Sequence, residues 1–171
     1  MSPTVEYLIV AGGGGASIGY SNVAGDRGNV KTGHLTGIVA GCEYIVTVGA
    51  GGIGSIHGIA GGNGSNSSFS NITAIGGSGG SSIRLSDRDN EPSSSNLENS
   101  FTESPLTYGL GGVATTDPNN GTIGGSGGSG MVSIKFVDTM PNAYCTKGSP
   151  TYTKIPGYKI YTWTNSGSIT W

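Results

Sequence analysis

Charge is the first thing this chain of 171 residues has little of. Eight Lys and Arg and ten Asp and Glu make up 11% of it, for a formal net charge of −2. The basic residues are scattered, so no electrostatic footprint for nucleic acid or an anionic membrane surface is expected. Low net charge also argues against plain disorder, which it seldom accompanies. Long apolar runs are missing too. No segment approaches the roughly 18 residues that a membrane helix needs, and none keeps an apolar period of 3.6 residues, so the predicted fold class is all-β. The opening MSPTVEYLIV lacks a positive lead before its short apolar run and is not expected to be a secretory signal.

Chemistry-bearing clusters are equally sparse. Cysteine is limited to Cys42 and Cys145, without C-x-x-C or metal spacing; two free thiols are expected, although one disulfide is permitted. His34 and His57 lack the paired spacing of a metal site. The acidic run Asp87, Asp89 and Glu91, beside Arg84 and Arg88, lacks the spacing of a dedicated calcium loop and reads as a solvated face. IVTVGAGGIG carries G-x-G-x-x-G at Gly49, Gly51 and Gly54. No helix follows to receive a pyrophosphate, and no acidic residue appears until Asp87, so a dinucleotide site is not expected. Sequons at Asn63, Asn66, Asn71 and Asn120 read as compositional in a chain this rich in Asn, Gly and Ser. No Ser/His/Asp or Cys/His arrangement can be assembled. The expectation is a protein that is not an enzyme, with no metal and no cofactor.

What is present is glycine, 34 residues, about three times average usage. Val5 to Gly15, VEYLIVAGGGG, drives a β-branched run into four glycines, and the same grammar recurs at Ile45 to Gly54, at Ile72 to Gly80 and, reversed, at Ile123 to Val137. Glycine loses the most backbone freedom on folding, so such runs belong where the chain passes close to other backbone. Thr4 to Ala11 reads as a strand with Val5, Tyr7 and Ile9 on one face and Glu6, Leu8 and Val10 on the other. Being apolar on both faces, it is expected at the centre of a sheet. Leu35–Ala40 and Glu43–Gly49 read as a hairpin around Gly41-Cys42, Asn63 to Ile75 as two brief strands, and Met131–Val137 as a strand with Val132, Ile134 and Phe136 on one face.

The glycine segments hold a period of three. Ala50, Ile53, Ile56 and Ile59 recur every third residue, as do the serines of GGSGGSS and GGSGGSG. A polyproline-II-type helix has three residues per turn, which stacks such side chains on one edge and leaves glycine on the other two. The expectation is a bundle of polyglycine-II helices with the Ala50/Ile53/Ile56/Ile59 edge facing the β core; the alternative is flexible Gly/Ser linker. The organisation expected is a β domain over 4–137 with a polar surface insertion at 81–107, a linker over 138–156 and a C-terminal hairpin over 157–171.

VEYLIVAGGGG, YIVTVGAGG, NGSNSSF, ITAIGGSGG and GGSGGSGMVSIKF, in that order, resemble the glycine-rich domain of tailed-phage tail-fibre and adhesin proteins. The resemblance covers about residues 4 to 137. It implies a β-sandwich (jelly-roll-like) with polyglycine-II segments, a virion location, and a tail-fibre or receptor-binding role or, alternatively, a purely structural one such as capsid decoration. It implies no active site. In that family a strand like GYKIYTWTNSGSITW precedes the YLIVAGGGG strand, whereas here it is residues 157–171. Two arrangements follow: exchange into a neighbouring subunit, most simply around a homotrimer, or folding back onto the chain's own Val5–Ala11. A small separate hairpin is the third. Contacts with a host receptor or glycan, or with neighbouring virion proteins, are then expected at Tyr20, Arg84, Arg88, Phe101 and Tyr108, and oligomer contacts at Tyr158, Ile160, Trp163 and Trp171.

Overall fold

The computed structural model describes residues 3–18, 23–56, 59–81, 107–114 and 123–171. Ten strands lie among them: β1 (Thr4–Val10), β2 (Val30–Thr36), β3 (Glu43–Thr47), β4 (Ser67–Phe69), β5 (Ile72–Ala74), β6 (Met131–Val137), β7 (Cys145–Lys147), β8 (Thr151–Ile155), β9 (Tyr158–Trp163) and β10 (Gly167–Thr170). They form two five-stranded antiparallel sheets, ordered β2-β1-β6-β9-β8 and β5-β4-β3-β10-β7, and the class is an all-β sandwich. Alternation places Val5 and Ile9 of β1, Val132, Ile134 and Phe136 of β6 and Trp163 of β9 in one core with Val46, Phe69, Ala74 and Ile169 of the other sheet. On the reverse face of β1, Leu8 and Val10 bury with Met131 under Val30 and Tyr108. β1 is therefore covered on both faces and sits between β2 and β6, as its double-faced apolarity predicts.

Three expected features differ. The stretch expected as a hairpin at Gly41-Cys42 instead carries the chain between sheets: β2 pairs with β1, while β3 pairs with β4 and β10. Gly37 and Gly41, at φ of 76° and 80°, turn the chain twice, and the longer connector reaches the opposite layer. The expected linker over 138–156 contains β7 and β8. The expected C-terminal hairpin is divided, since β9 lies in one sheet and β10 in the other. The true hairpin is β8–β9, where Ile155 faces Tyr158 across Pro156-Gly157, with Gly157 at φ 81°. β9 lies against β6, Val132 opposite Trp163, so the tail folds onto its own Met131–Val137 rather than onto Val5–Ala11.

β1 to β6 each run directly into or out of a glycine segment at one end of the sandwich. The central segment, residues 11–17, continues β1. Its N–H groups address three neighbours in rotation. Ala11, Gly14 and Ser17 donate to Asn29, Asp26 and Val23; Gly12 and Gly15 to Ser65 and Gly62; Gly13 and Ala16 to Gly128 and Gly125. Its carbonyls address three others: Gly12 and Gly15 accept from Gly77 and Gly80, Gly13 and Ala16 from Gly52 and Ser55, and Gly14 from Gly112. Every third residue meets the same neighbour, the signature of three residues per turn. The acceptor segments (23–29, 59–66 and 123–130) run antiparallel to the centre and the donor segments (49–56, 75–81 and 109–114) run parallel. They alternate around it, and each bonds to the next, closing a ring. The described glycine segments thus form one central polyglycine-II strand inside six.

Glycine is needed here for approach. Of the glycines within these segments only Gly109 has a φ in the left-handed region. A Cβ on Gly12, Gly13, Gly14 or Gly15 would lie 2.0, 2.0, 1.9 or 2.2 Å from the carbonyl oxygen of Ala50, Leu110, Ser78 or Ile53. The period of three holds over Ala50, Ile53 and Ile56, but Ile59 stands on the returning segment beside Ile56, not on the same edge, and all four residues face solvent and not the β core. Inward edges must be bare for backbones to bond, so side chains can only point out.

Gly14→Ala is expected to lower unfolding free energy by at least about 3 kcal/mol or to prevent folding, because backbone faces backbone and nothing flexible can yield. Ser78→Ala, on the outward edge, should stay within about 0.5 kcal/mol. Urea denaturation of the two variants checks the contrast.

Candidate functional site

The bundle has a near end at the sandwich and a far end. Ile18, Ile56, Ser81 and Ala114 are the last described residues of the outgoing segments, and Val23, Ile59 and Ile123 the first of the returning ones. Ile18 bridges to Ile59, and the Ser17 hydroxyl donates to the Ser81 carbonyl at 2.8 Å. Neighbouring Asn side chains reinforce the ring: Asn63 and Asn66 Oδ1 accept from Gly79 and Gly76 N–H at 2.8 and 2.9 Å. One rigid end therefore collects most departures of chain from the glycine framework.

Of the residues expected to make receptor or neighbour contacts, Tyr20, Arg84, Arg88 and Phe101 lie outside the described residues, as do His57, Asp87, Asp89 and Glu91. Tyr108 is at the near end, half-buried over Leu8, Val10 and Met131, beside Gly109, whose Cβ would meet the Ala11 carbonyl at 2.5 Å. It is a packing residue of the junction between bundle and sandwich. Of the expected oligomer contacts, Ile160 and Trp163 are buried inside their own chain, which removes them from contact with another folded copy. The Trp163 indole N–H donates to the Lys147 carbonyl at 2.8 Å. Trp171 packs edge-on against Tyr44 and Phe136, each with ring centroids 5.7 Å away, and Tyr158 lies under the Lys135 ammonium. Aromatic residues in a thin core read from sequence as a sticky tail; Trp163, on the strand paired with β6, belongs to the core, and Trp171 packs against it.

Among the described residues no group of three or more His, Cys, Asp or Glu is placed to hold a metal ion. Cys42 and Cys145 are exposed and free. Cys42 immediately precedes β3 and Cys145 opens β7; Glu43 and Cys145 flank Thr170 on its two sides, so β10 lies between the strands next to the two thiols. A charged strap crosses β10 close by. Lys147 Nζ lies 2.8 Å from Glu43 Oε1, which also accepts from the Ser168 hydroxyl at 2.5 Å. Lys147 and then Ser168 hold the Glu43 carboxyl below the usual range, and Glu43 raises Lys147. The serine hydroxyl donates a hydrogen bond to a carboxylate already paired with a lysine, and the three side chains tie β3, β10 and β7 together.

A family model described as a glycine-rich domain matches residues 2–105, more than half of the chain. No curated protein and no solved structure matches the chain. The matched span runs from β1 through β5, and so includes the central segment 11–17 and four of the six around it.

The Glu43–Lys147 tie predicts a bounded pH response. Because the folded Glu43 pKa is depressed, its contribution is present above the ordinary carboxylate range and is lost as pH falls through the lowered value. Because Lys147 is raised, its contribution is present below the ordinary lysine range and is lost as pH rises through the raised value. Wild type should exceed Glu43→Gln slightly in denaturation midpoint at neutral pH, with the gap closing in acid and shrinking in high salt, since both side chains are exposed. A gap that persists into acid would rule out the charge pair as its cause.

Proposed function

The chain belongs to the glycine-rich domain family, and we propose that it is a non-enzymatic virion protein of a tailed phage that holds the far end of its glycine bundle toward the host surface. The supporting observation is the collection of Ile18, Ile56, Ser81 and Ala114, with their returning partners, at one end of a framework whose central strand is hydrogen-bonded on all sides. Seven residues at three per turn carry that end roughly 20 Å from the sandwich. Recognition usually resides in segments carried on rigid scaffolds. The partner is a host surface protein or glycan; a net charge of −2 and scattered basic residues disfavour nucleic acid. The resemblance to phage tail-fibre and adhesin domains supports the virion setting.

A purely structural role, such as capsid decoration, rests on the same framework without a host contact. The two are separated by replacing residues 82–106 with a Gly/Ser linker long enough to return from the far end at Ser81 to the near end at Thr107. Host attachment predicts that purified wild type binds intact cells of the host bacterium, and that the replaced chain keeps its melting temperature and loses the binding. Equal binding by both proteins would contradict the host-attachment reading. Absence of binding together with defective particles on replacement would favour the structural role.

A further inference from the structure

The outward edges of the bundle are unevenly populated. Ile53, Ile56, Ile59, Ile123 and Val113 are exposed by 76, 57, 55, 62 and 52%. Hydrogen bonds fix how they stand. Ile59 N–H donates to the Ile56 carbonyl, while Gly124 and Gly127 donate to Ser55 and Gly52, which sets Ile123 abreast of Ile56 and Ser126 abreast of Ile53. Gly125 donates to the Val113 carbonyl on the next segment round. Ile59, Ile56 and Ile123 thus form a row across three neighbouring segments, with Ile53 one turn, about 9.3 Å, nearer the sandwich. No Asp, Glu, Lys or Arg occurs in residues 49–66 or 123–130.

We propose that this isoleucine ridge pairs with the same ridge of a second copy of the chain about a two-fold axis. Three features favour a second copy over other occupants. The first is area: Ile53, Ile56, Ile59 and Ile123, on three adjacent segments, present on the order of 400 Å² of apolar surface, within the range of the largest patches that monomers carry. Two such ridges would together remove roughly 800 Å², the scale of a weak, reversible contact. The second is spacing. A ridge with a knob every 9.3 Å or so needs a partner with gaps at that repeat, and an identical ridge running the opposite way supplies them, Ile53 of one copy entering between Ile53 and Ile56 of the other. An isologous contact of this kind closes at two copies. The third is rigidity. Backbone hydrogen bonds to the segments on either side set the knob spacing before contact, so little ordering opposes association. The ridge shares Ile56, Ile59 and Ile123 with the far end, but the host-attachment test replaces only residues 82–106 and leaves them in place, so the two readings fail separately.

Sedimentation equilibrium of the full chain tests it. Wild type should show a monomer–dimer equilibrium that low and high sodium chloride leave nearly unchanged, because the described residues of the ridge segments include no Asp, Glu, Lys or Arg. Ile53→Ser/Ile56→Ser should weaken dimerisation by more than about tenfold through lost apolar burial, while Ile75→Ser, exposed on a segment outside the ridge, should leave it intact. Circular dichroism melts confirm that each variant folds, and Ile53→Lys provides a second disruption if the double variant does not. A monomer at every concentration, as when another part of the chain or a different protein covers the ridge, overturns the proposal. So does a trimer, or a dimer that survives both ridge variants.

Discussion

Backbone must meet backbone at hydrogen-bonding distance on every side of residues 11–17, and that requirement organises the molecule. A buried N–H or carbonyl left without a partner costs about 1 to 3 kcal/mol, and this segment, buried from Ala11 to Ser17, has no sheet ladder to satisfy it. Six surrounding segments do so instead, three accepting and three donating. A methyl group at Gly12 through Gly15 would sit about where a neighbour's carbonyl oxygen already is. Glycine content so high, which elsewhere signals a flexible linker, here permits density.

The same requirement explains the sandwich. Because the central segment continues β1, the ring around it has to be supplied by chain entering and leaving near that point, and β2 to β6 all deliver or collect glycine segments there. β1 is consequently enclosed by β2 and β6 within its sheet and by apolar side chains on both faces. The strands that take no part in the bundle, β7 to β10, complete the two sheets. They bring the two tryptophans to the aromatic core that Phe69 and Phe136 begin, with Trp163 fully buried and Trp171 between Tyr44 and Phe136.

Much of this was legible because its periods are physical. Alternation in Val5 to Val10 and in Met131 to Val137 follows the pleat, and the spacing of Ile53 and Ile56 follows the three-residue turn. Which way the isoleucines face was not legible, since the rule that apolar residues point inward assumes an interior made of side chains. In a bundle whose interior is backbone the rule reverses. Partner strands were misread where a short connector could either turn back or cross layers: Gly41-Cys42 and Asn165-Ser166-Gly167 both look like hairpin turns and both change sheets. Pro156-Gly157, a true turn signal, followed a strand too polar to be noticed, TYTKI. Tyr108 read as a displayed aromatic because nothing in its local sequence reveals Leu8 and Val10 beneath it.

The measurement that bears most directly on the enclosed central segment is residue-resolved amide hydrogen exchange by NMR. If the segments close around residues 11–17, the amides of Gly13, Gly14 and Gly15 exchange as slowly as those of Val132 and Ile134 in β6, opening only when the whole molecule unfolds. Complete exchange of the three glycine amides at the first time point, with β6 still protected, would contradict the account.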